Sequence, residues 1–249
     1  MKHYNIRVDK EEALRYLGYH GHQADGTVTK QLDEAVTLLE QIAVPAYIYK
    51  LFDLEPNDPV TTPEQKGIRS LHTHDTAFPA EAIRLKGTSI RLPGADAASF
   101  LKECRSCIIM AVTIGRRVDE VLHRRQITDM SGAVILDSCA STAVESICNQ
   151  IEADLGNEFE SRGLFLTDRF SPGYGDLPLN LQPAICRTLS TEKRIGLTIT
   201  GGMLLTPTKS VTAFLGVSNR PQPKKLTGCA RCHLKESCNY RKAGITCAE

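Results

Sequence analysis

The chain has 249 residues, with 30 Lys and Arg against 29 Asp and Glu for a formal net charge of +1, and 41% of its residues are hydrophobic. That balance excludes a disordered acidic or basic tail and a protein that holds nucleic acid through bulk positive charge. The length suits one large or two small domains whose core needs no staples.

The first residues are charged throughout, without the apolar centre of a signal peptide, and no stretch approaches the ~20 apolar residues of a membrane span. The sequence therefore reads as cytoplasmic, with no membrane partner. Its nine cysteines read as metal or cluster ligands where they crowd together and as small core residues where they scatter.

In chain order, Asp9 and Glu12 form a capping signal for a helix from about Lys10 to Leu17, stopped at Gly18. Val28, Leu32, Ala35, Val36, Leu39 and Ile42 recur at helical spacing until Val44-Pro45 ends the pattern. Residues 46–52 are rich in strand formers, and the prolines of 55–63 mark an exposed connection. Residues 82–85 and 89–92 read as a hairpin around Lys86-Gly87-Thr88, followed by a helix from Gly94 to about Glu103. The unbroken apolar run from Cys107 to Ile114 is that of a buried strand. A helix over Arg116–Gln126 precedes the strongest periodic signal, Ala133, Leu136, Ala140, Val144, Ile147, Ile151, Leu155 and Phe159, which is the apolar stripe of one long helix. A strand at 164–167, a loop from Asp168 to Asp176, a helix from Leu179 to about Thr188 and strands at 195–200 and 211–217 complete the pattern. Helices and strands mixed without a βαβ repeat predict an α+β fold, helices packed around a largely antiparallel twisted sheet, with a Cys-rich C-terminal tail. The corresponding division is an N-terminal helical and strand segment (1–63), a main domain (64–220) and the tail (221–249).

The most unusual stretch is Arg169-Phe-Ser-Pro-Gly-Tyr-Gly-Asp176. Two glycines and a proline let backbone approach a ligand, Arg169 offers a planar fork to a carboxylate, and Tyr174 offers a ring face to a base or a cation. The same residues also suit a tight strand-to-helix turn with a surface arginine. The stretch resembles the signature Arg-x-Ala/Ser-Pro-Gly-Tyr of the S-adenosylmethionine (AdoMet)-binding activation domain of cobalamin-dependent methionine synthase, matched by Arg169, Ser171, Pro172, Gly173 and Tyr174. Glu145, in the long helix, falls where that family carries an acidic residue, and Thr200 to Val217 fits its final strand pattern. The residues after Tyr174 read Gly-Asp-Leu-Pro rather than the family's Pro-Ala-Cys-Pro, and the chain resembles a short, free-standing branch.

The resemblance implies that Arg169 binds the AdoMet carboxylate and Glu145 faces its amino group or sulfonium. It also implies that the backbone around Ser171, Pro172 and Gly173 holds the nucleoside end, with Tyr174 lying against the ligand. It implies no acid/base dyad, because the nucleophile in that family's reaction is reduced cobalt. No motif for holding a cobalamin tail is present, so cobalamin is expected on a partner, a corrinoid-dependent methyltransferase such as the methionine synthase core, with an electron donor such as a flavodoxin or ferredoxin.

Cys229, Cys232, Cys238 and Cys247 crowd the last residues past the Pro221-Gln-Pro223-Lys-Lys linker. The spacing suits an iron–sulfur cluster, a Zn site or a tail without metal. Cys104, Cys107, Cys139, Cys148 and Cys186 read as packing residues, His72 and His74 as solvated loop residues, and the arginines of 116–125 as a solvated helix face that could also meet an acidic carrier. Two functions follow: an AdoMet-binding reactivation protein for a corrinoid enzyme, or a non-enzymatic metal- or iron–sulfur-binding adaptor that docks one.

Overall fold

The computed structural model describes residues 2–19, 24–55 and 82–222. The helix α1 (Lys10–Tyr16) starts where the Asp9 carboxylate accepts the Glu12 N–H at 3.0 Å, and α2 (Gly26–Ile42) starts where Asp25 accepts from Thr27 and Val28. Both caps satisfy N–H groups that the first helical turn leaves without partners.

Strand β1 (Ala46–Glu55) leads to the hairpin β2 (Ile83–Leu85) and β3 (Arg91–Leu92), then to α3 (Ala95–Leu101) and β4 (Cys104–Thr113). Next come α4 (Arg116–Thr128), α5 (Met130–Glu160), β5 (Phe165–Leu166), a single 3-10 turn at Leu179–Leu181, α6 (Gln182–Leu189) and α7 (Thr191–Ile195). The short strands β6 (Thr198–Ile199) and β7 (Leu205–Thr206) pair with each other, and β8 (Ser210–Ser218) closes the described chain.

The main sheet has the order β3-β2-β1-β4-β8-β5, and its strand pairs are antiparallel. Alternation along its two central strands divides the core. Ile108, Met110, Val112, Ala213, Leu215 and Val217 point to the face covered by α1, α2, α4 and α5. Cys107, Ile109, Ala111 and Phe214 point to the other face, which Phe100, Leu101, Ile185 and Leu189 cover. Being buried on both sides is why β4 reads as an unbroken apolar run. The expected α+β architecture is present, with the N-terminal segment built into the same sheet: β1 pairs with β4 from Ala46 to Asp53, and Ser138 of α5 donates to Ala13 O at 2.7 Å.

The expected strand at 195–200 is corrected. Thr191–Ile195 is helical, and only Thr198–Ile199 pairs. Ser190, at φ 55°, ends α6 and starts a second short helix without the usual glycine. The Thr191 hydroxyl then donates to Leu197 O at 2.7 Å and ties the turn down. No described helix is long and apolar enough to cross a membrane. His72, His74 and the four tail cysteines lie outside the described residues.

Candidate functional site: an arginine held against the long helix

The position of Arg169 is decided by a one-residue bulge. In the pairing of β5 with β8, Phe165 stands opposite Ser218 and Leu166 opposite Val217, yet the next bridge joins Phe170 to Phe214. The chain spends four steps where β8 spends three. Inside that stretch Thr167 N–H donates to Gly216 O at 3.0 Å, and the Thr167 hydroxyl replaces a backbone carbonyl by accepting the Gly216 N–H at 2.8 Å. An extra residue flips every side chain after it. Leu166 packs with the α5 core while Phe170 turns to the opposite one, its ring centroid 5.2 Å from that of Phe100. Arg169, one residue before, is thereby aimed at α5.

There it meets three acceptors. Nη1 donates to Glu152 Oε2 at 2.8 Å, and Nη2 donates to Glu145 Oε2 and to Asn149 Oδ1, both at 2.9 Å. Glu145, Asn149 and Glu152 are spaced four and three apart, which places them on one face of a helix. Arg169 is the most enclosed of the charges, its side chain 17% exposed against 26% for Glu152 and 46% for Glu145. Behind them Cys148 is buried, and burial pushes its thiol up to about 12 although Arg169 pulls the other way.

The rest of the hexapeptide is a backbone-fastened turn. Tyr174 N–H donates to Ser171 O at 3.2 Å, Gly173 N–H to Leu177 O at 2.8 Å and Leu177 N–H to Tyr174 O at 3.0 Å. Pro172 is buried beneath it, while the Tyr174 ring is 69% exposed. Two aspartates clasp the turn to the start of α3: Asp176 Oδ2 accepts the Asp96 N–H at 3.0 Å, and Asp96 Oδ2 accepts the Asp176 N–H at 3.3 Å. The clasp requires Gly175, which has φ +55° and where a Cβ would fall 2.4 Å from Asp96 Oδ2.

Two features flank this arrangement. One turn up α5, Lys209 pairs with Asp137 at 2.8 Å and donates to the Ser141 hydroxyl at 2.9 Å. On the other side of Glu152, a cleft of about 640 Å³ runs between α5 and β5, lined by Asn149, Glu152, Gly156, Leu164 and Asp168 among others.

Of the residues that sequence reasoning singled out, the fold bonds Arg169 to Glu145, while the turn from Ser171 to Tyr174 follows Arg169 in the chain and is clasped to α3. That reasoning did not single out Asn149 and Glu152, the other two acceptors of Arg169. The signal for Asn149 and Glu152 was present in α5 as a second stripe, Asp137, Ser141, Glu145, Asn149 and Glu152, at helical spacing beside the apolar one. The five scattered cysteines occupy packing positions: Cys107, Cys139 and Cys148 are buried, and Cys104 and Cys186 are half-buried.

Among solved structures, the crystal structure of the MetH reactivation domain bound to AdoHcy matches this chain with a TM-score of 0.60 at 12% identity, covering 96% of this chain and 82% of that one. The fold is that of the MetH reactivation domain. No family model matches the sequence, and no curated protein matches it. At this identity the likeness to the MetH domain carries the architecture, and the roles of individual side chains rest on the geometry above.

Proposed function

We propose that the chain binds AdoMet at Arg169 and the turn that follows it, and acts as a reactivation protein for a corrinoid-dependent methyltransferase, methionine synthase being the partner of choice. The observation that carries the reading is the ion pair of Arg169 with Glu145, followed in the chain by a turn with an exposed tyrosine. An incoming carboxylate replaces Glu145 on the guanidinium most readily where Glu145 finds another cation; at 46% exposure water makes up part of the loss, and a ligand ammonium makes up more. A zwitterionic α-amino acid meets that condition. Its carboxylate takes Arg169 and its ammonium takes Glu145, so no charge is stranded. Ser171, Pro172 and Gly173 then offer backbone to the nucleoside, and the Tyr174 ring lies free to cover it. That the MetH domain in the solved structure holds AdoHcy, a nucleoside with the same amino-acid end, supports this choice of ligand.

When bound, AdoMet supplies the methyl group and a partner's reduced cobalamin supplies the nucleophile. The protein's contribution is positional: Arg169 and Glu145 fix the amino-acid end, and the clasped turn fixes the other. The electron comes from a donor such as a flavodoxin or ferredoxin. The cysteines Cys229, Cys232, Cys238 and Cys247 are proposed as ligands of an iron–sulfur cluster or zinc, to be checked by metal and sulfide analysis and the visible spectrum of protein purified without oxygen.

Calorimetric titration tests the central claim. Native protein is expected to bind AdoMet and Arg169→Ala to lose at least about 100-fold in affinity, equivalent to ~2.7 kcal/mol. No binding by the native protein, alone or with a corrinoid partner, would overturn the reading.

A further inference from the structure

We infer that Glu152, together with Asn149, is the fixed anchor that positions the Arg169 guanidinium, while Glu145 is the exchangeable partner that a ligand displaces. The proposal deepens the preceding reading, on which its ligand rests, but the asymmetry between the two glutamates belongs to the free protein.

The geometry separates them. Nη2 is shared by Glu145 and Asn149, so removing Glu145 leaves that nitrogen bonded to Asn149 at 2.9 Å. Glu152 is the acceptor that holds Nη1, at 2.8 Å. Glu145 is also the more solvated carboxylate, 46% exposed against 26%. Water compensates its release better, and the weaker interaction is the one that exchanges. With Glu145 turned to a ligand ammonium, the guanidinium is still gripped by one carboxylate and one amide. A planar fork held at two corners presents its remaining N–H groups in a fixed direction, which is what carboxylate recognition requires. Glu152 is thus a positioning residue: it acts on the ligand only through Arg169.

Both halves can be tested. Without ligand, proton–nitrogen correlation spectra of the guanidinium groups should show Arg169 with slowed Nη rotation in the native protein and in Glu145→Gln, and with averaged signals in Glu152→Gln. In titrations, Glu152→Gln should weaken AdoMet by about tenfold or more and leave methylthioadenosine, which lacks the amino-acid end, unchanged. A purely structural role would weaken both ligands alike. If Glu152→Gln fails to fold, Glu152→Asp serves in its place, because it keeps the charge but shortens the reach; the same pattern is expected at smaller amplitude. Persistence of the slowed Arg169 signals without Glu152, or equal loss of both ligands, would overturn the anchor. An expected guanidinium pattern with no AdoMet binding by native protein would instead sink the proposed function and leave the anchor standing.

Discussion

The two ends of the hexapeptide are held in opposite ways. Arg169 is held by its side chain, enclosed and bonded to three groups on α5. Tyr174 belongs to a turn held by backbone hydrogen bonds, and its ring stands in solvent. The difference teaches a division of labour. On the proposed function, Arg169 must meet a ligand in one orientation and is costly to misplace, which suits its place against α5, the longest described helix. On the same proposal, the Tyr174 ring only has to cover the ligand and can stay exposed, its backbone being tied.

The sharpest way to break the arrangement is at the bulge. A Cβ on Gly216 would stand 2.5 Å from Cys104 Sγ, 2.9 Å from Leu101 Cδ2 and 3.0 Å from Thr167 Cγ2. Gly216→Val should therefore destabilise the fold by ~3 kcal/mol, at the upper end of overpacking costs, measured by urea unfolding. If the bulge sets the direction of Arg169, AdoMet affinity must fall as well. An unchanged affinity in a destabilised protein would show that the arginine is placed by α5 alone.

Arg169→Lys comes next. An ammonium on a flexible stem cannot span Glu145, Asn149 and Glu152 as a planar fork does. The expected cost is ~2 kcal/mol of stability, within the range for hydrogen bonds to charged groups. The same substitution should weaken AdoMet binding while methylthioadenosine binding stays as it was.

The thiols that α5 buries should also respond to alkali. Burial raises the Cys139 thiol to about 11 and the Cys148 thiol to about 12, above an unfolded value of about 8.5. The folded chain holds these protons more tightly than the unfolded one, so their contribution is complete below about pH 8.5 and is lost as pH rises toward the folded values. Each thiol adds a slope of up to ~1.4 kcal/mol per pH unit in that window. Urea midpoints should fall between pH 9 and pH 11, and Cys148→Ala should reduce the slope.

How far the sequence revealed these features depends on how local their causes are. The stripe from Ala133 to Phe159 fixes α5 because every residue that matters lies one turn from the next, and the run from Cys107 to Ile114 fixes β4 for a similar reason. The hexapeptide was visible as composition. The bulge was not, because it needs the Thr167 hydroxyl to meet the Gly216 N–H across 49 residues of chain. The split of the expected strand at 195–200 was hidden by Ser190, which adopts a left-handed conformation that glycine would have advertised. Glu152 and Asn149 were hidden in plain view: their spacing was legible, but nothing local to α5 said that a cation from the segment after β5 would arrive there.

The exposed end should yield smaller effects of two distinct kinds. Asp176→Ala removes the acceptor for the Asp96 N–H, at a cost of ~1 kcal/mol, the usual value for one such bond. It should loosen the turn and weaken every nucleoside, methylthioadenosine included, which is the opposite of the pattern for Arg169→Lys. Tyr174→Ala removes a ring that is 69% exposed, so the melting temperature should stay within the small range of surface substitutions, about 0.5 kcal/mol. Its effect should appear only in binding, as a loss of several fold, about 1 kcal/mol for a ring face against a base or sulfonium, and Tyr174→Phe should restore it. If Tyr174→Phe binds as poorly as Tyr174→Ala, the phenol oxygen rather than the ring face meets the ligand, and the exposed end then recognises by hydrogen bonding, as the enclosed end does.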